Sequence, residues 1–154
     1  MSVSVSVGLE LEGAGWASFE FTLDGCSYRM DGVSHVFDPM DDLLRAGAMV
    51  ARSPSQAFVR FFGEPMEWRL HLSPLPTNER NLLVEIGTFP GFGSTVGTER
   101  GEIVLSGMCD RMRFARTLLN AFWSWSTKEQ AYLKLWYEPF PRQGFDLLQT
   151  AVSH

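Results

Sequence analysis

Three histidines, His35, His71 and His154, and two cysteines, Cys26 and Cys109, are the side chains of this chain best suited to proton transfer or nucleophilic attack near neutral pH. His35 stands just ahead of Asp38, Asp41 and Asp42, an order that can hold a hard divalent cation. The same three carboxylates are also what a helix N-terminus recruits, as cap and as favourable charges on the macrodipole. His71 falls between Arg69 and Ser73 on the polar side of an alternating segment, so it is read as a solvated surface residue. A Cys–His pair needs Cys26 or Cys109 beside His35, and nothing local supports it. Cys26 follows an Asp-Gly turn on the expected core-facing side of its strand, where burial is the default. Glu64 and Glu67 flank a hairpin turn in the manner of paired glycosidase carboxylates, but solubility explains them equally well. This short inventory implies a protein that is not an enzyme and that carries no metal or cofactor.

The stretch "TFPGFGSTVGTERG" places Gly91, Gly93, Gly97 and Gly101 after an apolar run. A phosphate cradle needs a helix N-terminus behind its glycines and often a lysine. Here no lysine follows and "GEIVL" continues as a strand, so the segment is read as a strand-to-strand connection. Phe92 at its tip is a candidate apolar anchor for a partner, with Glu99 and Glu102 adding acid beside it.

With 154 residues, 45% of them hydrophobic and 13% aromatic, the chain suits a single globular domain over 1–154 with a sizeable core. The net charge of −5 is unevenly distributed. Residues 1–42 hold eight acids against one base, Arg29, a balance of −7, and the remainder is mildly basic. An acidic segment of this kind repels nucleic acid and attracts basic surfaces, although solvated edge strands carry similar charge. Eleven of the thirteen bases are arginine, which is as consistent with genome composition as with binding. The opening "MSVSVSVGLELEG" alternates strictly and lacks a basic leader region, and no run reaches membrane-spanning length. A cytoplasmic protein with no membrane partner is expected.

Val3, Val5, Val7, Leu9 and Leu11 alternate with smaller or polar residues, and "WASFEFTL" and "CSYRM" alternate on either side of Asp24-Gly25. "FDPMDDLLRAGAMVAR" changes to helical spacing, predicting a helix from about Pro39 to Ala51 with Asp38 as cap and Gly47 admitting a close approach to the sheet. "QAFVRFF" and "MEWRLHL" form a hairpin in which Met66, Trp68, Leu70 and Leu72 oppose Glu67, Arg69 and His71. "NLLVEIG" and "GEIVL" are two more strands. Asp110 or Ser106 is placed to cap a helix carrying Met112, Ala115, Leu118, Leu119 and Phe122. Ser126 and Glu129 form a capping box for a second helix bearing Tyr132, Leu135 and Trp136, and a short helix near Phe145 to Val152 follows. The fold class is therefore α+β: an antiparallel sheet of about six to seven strands, one helix between hairpins, and C-terminal helices packed on one face.

Phe122, Tyr132 and Trp136 share a helical face that Trp123, Trp125 and Tyr137 cannot join, so part of this aromatic area is expected at the surface. The succession "FEFTLDGCSYRM", "DPMDDLLRAGAMV", "FVRFFGEPMEWRLHL" and "NLLVEI" resembles, in layout over roughly residues 16–86, the immunity proteins encoded beside bacterial polymorphic toxins. The resemblance implies a protein that binds a cognate toxin and occludes its active site without catalysis of its own. The acidic third suits a toxin acting on nucleic acid, whose own surface is basic. The expected partner-binding residues are Asp38, Asp41, Asp42, Glu64, Glu67, Phe92, Glu99 and Glu102, with no direct contact to nucleic acid. Two other classes stand beside this one: a small-ligand or enzymatic domain with a pocket lined by Trp68, Trp123 and Trp136, and an adaptor that dimerises through an edge strand.

Overall fold

Period-two alternation in the opening residues builds three antiparallel strands, β1 (Val5–Gly13), β2 (Trp16–Leu23) and β3 (Cys26–Ser34), in the computed structural model, which describes residues 4–91 and 100–153. Asp24 and Gly25 take φ of 50° and 84° between β2 and β3, the positive values that a tight two-residue hairpin requires. Helix α1 (Met40–Arg52) follows, then a second antiparallel sheet of β4 (Ala57–Phe62), β5 (Glu67–Leu75), β6 (Asn78–Phe89) and β7 (Glu102–Asp110) in sequential order. Helices α2 (Arg111–Trp123), α3 (Glu129–Trp136) and α4 (Arg142–Val152) complete the α+β architecture. The seven strands are thus divided between two sheets, of three and four strands. The sheets meet where Phe19 of β2 packs edge-on against Phe61 of β4, ring centroids 5.2 Å apart, and where Trp68 Nε1 of β5 donates to the Tyr28 hydroxyl of β3 at 3.0 Å.

Helix α1 is buried over most of its circumference, which follows from its position between α2, α4 and β4. A Cβ on Gly47 would stand 2.7 Å from Leu118 Cδ2 and 3.3 Å from Leu148 Cδ1. The close approach expected at Gly47 therefore exists, but toward α2 and α4 and not toward a sheet. Asp110 caps α2 as expected, its Oδ1 accepting from Arg113 N at 2.9 Å. Thr117 on the same helix accepts from Val7 N at 3.0 Å, fastening α2 to β1.

Three local expectations are corrected. Ser126 and Glu129 do not form a capping box: residues Ser124–Thr127 make a 3-10 turn in which Ser126 Oγ donates to Trp123 O at 2.6 Å. Glu129 instead receives Arg142 Nη2 at 2.7 Å, an ion pair to α4 that competes for the carboxylate. Cys26 is exposed and not core-facing, because it sits at the hairpin tip on the unpaired edge of the three-stranded sheet, whereas Cys109 is buried. His71 is buried, 6% exposed, where solvation was expected. It is packed parallel to the Phe58 ring of the adjacent strand at 5.8 Å.

The reason extends along all of β5. Trp68, Leu70 and Leu72 face the core as read, but Glu67, Arg69 and His71 are buried as well. On that second face Phe62, Arg60 and Phe58 of β4 stand opposite Glu67, Arg69 and His71, and Phe89 of β6 pairs with Glu67 from the other side. Long side chains of the flanking strands cover the polar face of a central strand, a lateral contact that alternation along one strand does not reveal.

Candidate partner-binding surface

Between β3 and α1 the chain makes a 3-10 turn over His35–Phe37, whose first free amide, Val36 N, donates to the Ser34 hydroxyl at 3.2 Å. The turn points its apolar residues outward: Val36 is 62% exposed and Phe37 55%. Phe37 rests on Phe62 of β4 with centroids 4.8 Å apart, and the Arg60 guanidinium lies 4.9 Å over the other aromatic partner, the Phe62 ring. Phe37, Asp38, Asp42, Phe58, Val59, Arg60 and Phe62 together enclose a cleft of about 440 Å³. Phe58, on its rim, is itself 45% exposed.

Asp38 anchors the acidic end of this cleft. Its Oδ1 accepts from Met40 N at 3.0 Å, so it caps α1 from one position earlier than the helix start would suggest, and from Trp136 Nε1 at 3.2 Å. Burial raises its pKa above the ordinary carboxylate value, against the lowering effect of those two donors, and the charges of Glu138 and Asp41 add to the rise. Beside it, His35 Nδ1 and Glu138 Oε2 are 2.9 Å apart and the Tyr137 ring stands edge-on to His35 at 5.3 Å. The Tyr132 hydroxyl is buried without a hydrogen-bond partner among the described residues, and burial together with the charges of Asp38 and Glu138 pushes its pKa upward.

At the other end, Arg60 is held from beneath by a carboxylate that is itself inaccessible. Arg60 Nε and Nη2 reach Glu67 Oε2 and Oε1 at 2.6 and 3.1 Å, and Arg69 Nε reaches Glu67 Oε2 at 2.7 Å. Glu67 and Arg69 are fully buried, while the Arg60 side chain keeps 34% exposure. The hydrogen bonds that Arg60 donates to Glu67 raise its pKa further, keeping the guanidinium charged and fixed.

Of the eight residues expected to bind a partner, Asp38 and Asp42 are brought together in the cleft. Asp41 is turned aside, accepting from Arg45 Nε at 2.6 Å one helical turn on. Glu67 is corrected from a contact residue to a buried support, because its carboxylate is engaged by two arginines. Glu64 is exposed in the turn between β4 and β5, and Glu102 is exposed at the start of β7, paired with Thr88. Phe92 and Glu99 lie outside the described residues. Sequence reading missed Val36, Phe37, Phe58 and Phe62. The available signal was "FVRFF", a strand that carries phenylalanine on both faces.

The tryptophans named for a ligand pocket do not converge. Trp68 is buried against Tyr28, Trp136 is buried against Asp38, and Trp123 is half exposed against the Phe145 ring. The aromatic division expected of the C-terminal helices does hold: Phe122, Tyr132 and Trp136 are fully buried, whereas Trp123 and Tyr137 are 50% and 54% exposed. Among the described residues no group of three or more His, Cys, Asp or Glu side chains is arranged to hold a metal ion, and no helix is long and apolar enough to cross a membrane.

The fold and this surface define an α+β protein that presents an aromatic cleft with carboxylates at one end and a buttressed arginine at the other. Comparison with known proteins matches the chain to no family model, no curated protein and no solved structure.

Proposed function

We propose that the protein binds and neutralises a bacterial toxin, and that the cleft between the 3-10 turn and β4 receives an apolar side chain of that toxin ringed by basic residues. The observation that supports this reading is the exposure of Phe37 and Phe58 in one cleft with Asp38 and Asp42. Apolar groups surrounded by charge at a surface are how interface anchors are organised. The −7 balance of residues 1–42 adds long-range attraction for a basic partner, as a toxin acting on nucleic acid would be. The scarcity of accessible catalytic groups supports inhibition by occlusion instead of by chemistry.

The test is co-expression of each flanking gene's product with and without this protein. One product should arrest growth alone and be tolerated in its presence. Phe37→Ala combined with Asp42→Lys should abolish the protection while leaving the melting temperature close to wild type. Full protection by that double variant would refute the assignment of the cleft. Absence of a toxic neighbour would refute the toxin reading itself.

A further inference from the structure

A second cleft, of about 460 Å³, lies between the start of β6 and the first turn of α2 and is lined by Arg80, Asp110, Arg111, Met112, Arg113 and Arg116. Arg111 builds it. Its Nε donates to Glu79 O at 2.9 Å and its Nη1 to Val50 O and Ala51 O at 2.7 and 3.2 Å, so one guanidinium joins the β6 hairpin, the C-terminal end of α1 and the N-terminal end of α2. Arg80 from β6 and Arg113 and Arg116 from α2 line the cleft that these bonds close.

The charge left in this cleft is unusual for a chain with a net charge of −5. Arg29, Arg45, Arg60, Arg69, Arg100 and Arg142 each meet a carboxylate within 4 Å, whereas among the described residues Arg80, Arg113 and Arg116 form no ion pair. The one lining carboxylate, Asp110, has an oxygen engaged in capping α2. Four guanidiniums sharing a concave site repel one another, and an oxyanion relieves that repulsion while accepting planar, two-pronged hydrogen bonds. The first turn of α2 adds its positive dipole end to the same wall.

We propose that this cleft is a binding site for a small phosphate-bearing ligand with adjacent phosphoryl groups, a diphosphate or nucleotide, recognised by Arg80, Arg113 and Arg116 with Arg111 as the positioning residue. The site does not depend on the toxin-binding reading, and it lies on elements other than those that form the aromatic cleft. The negative charge of the whole chain favours a compact anion over a long polyanion, because the latter would run past the four arginines onto surface that repels it.

The probe is inorganic pyrophosphate, titrated at constant ionic strength into the full-length protein and followed by calorimetry and by amide chemical shifts. Saturable binding with a Kd on the order of 0.1–1 mM is expected, with shifts confined to residues around Arg80 and 110–116. Arg113→Gln with Arg116→Gln should weaken it by about tenfold or more, since charge-assisted hydrogen bonds are lost. Arg113→Lys with Arg116→Lys should fall between, because lysine keeps the charge but not the fork. Both side chains are exposed, so each double variant should melt with the wild type. A titration without saturation by about 10 mM overturns the proposal, as does equal affinity in the glutamine variant. A single strand of about twelve nucleotides that binds more tightly with each added nucleotide replaces the small ligand by a polyanion track and also overturns it.

Discussion

Replacing Glu67 by Ala removes the carboxylate on which Arg60 and Arg69 converge. Arg69 is fully buried, its guanidinium donating to Glu67 and lying 4.3 Å from the centre of the Phe89 ring. Arg60 keeps one third of its side chain exposed, so its charge can be resolvated. The cost is therefore that of removing one partner of a buried ion pair, about 3–5 kcal/mol. For a domain of this size each kcal/mol lowers the melting temperature by about 2–4 °C, giving a fall of about 6–20 °C. Differential scanning calorimetry at pH 7 reads it directly. Glu67→Gln, which keeps an acceptor oxygen, should fall less. A melting temperature for Glu67→Ala within about 3 °C of wild type would refute the reasoning. Because Glu67 also fixes Arg60 at the cleft, any loss of partner binding in Glu67→Gln should appear with the aromatic rings still in place.

The other predictions concern groups whose environments differ from what their types suggest. Cys26 should react with a thiol reagent at pH 8 within minutes, while Cys109, its pKa pushed up to about 12 by burial and by Asp110, should react only on unfolding; equal labelling rates in the native protein would contradict this. Burial raises the pKa of Asp38 above its unfolded value of 3.8, so the folded state binds the extra proton and stability falls as pH rises from 3.8 through the folded value. Asp38→Asn keeps an acceptor for Met40 N and Trp136 Nε1 and removes the penalised charge, which Glu138 and Asp41 also oppose. Its melting temperature should therefore equal or exceed wild type at pH 7 and lose that advantage below pH 3.8, and a variant less stable at pH 7 than at pH 3 relative to wild type would reverse the sign.

Much of the fold was legible because it depends on local signals. The Asp-Gly turn, the apolar stripe of α1, the Asp110 cap and the hairpin of β4 and β5 are each specified within a few residues, and each is found where the sequence places it. The division of seven strands between two sheets was not legible, since strand pairing partners are set by contacts distant in sequence. The burial of Glu67, Arg69 and His71 escaped for the same reason: it is produced by Phe58, Arg60 and Phe62 on the neighbouring strand. Cys26 reads as core-facing from its strand's pattern, but it is exposed at the hairpin tip of β3, an edge strand of the three-stranded sheet. The Ser126 capping box failed because Arg142, sixteen residues from Ser126, draws Glu129 away.

At the candidate surface, the acidic residues were legible and the aromatic ones were not. Asp38 and Asp42 stood out by charge, whereas Phe37 and Phe58 looked like ordinary core residues of a turn and a strand. Asp41, equally prominent in sequence, is held by Arg45 on the helix flank and stands apart from the cleft. The arginines of the second cleft lay hidden in "DRMRFAR", where helical spacing gave no reason to bring Arg80 from the hairpin to meet them.

The proposed function makes the cleft between the 3-10 turn and β4 the contact surface for a toxin. Hydrogen–deuterium exchange of the protein alone and with any flanking-gene product that the co-expression assay finds toxic tests that proposal most directly. Slowed exchange on binding is expected over His35–Phe37, the first turn of α1 and the amides of Phe58, Arg60 and Phe62, with the start of β6 and the first turn of α2 unchanged. Protection centred on Arg80 and Arg113, or on the exposed faces of Trp123 and Met108, with the 3-10 turn exchanging as in the free protein, would contradict it.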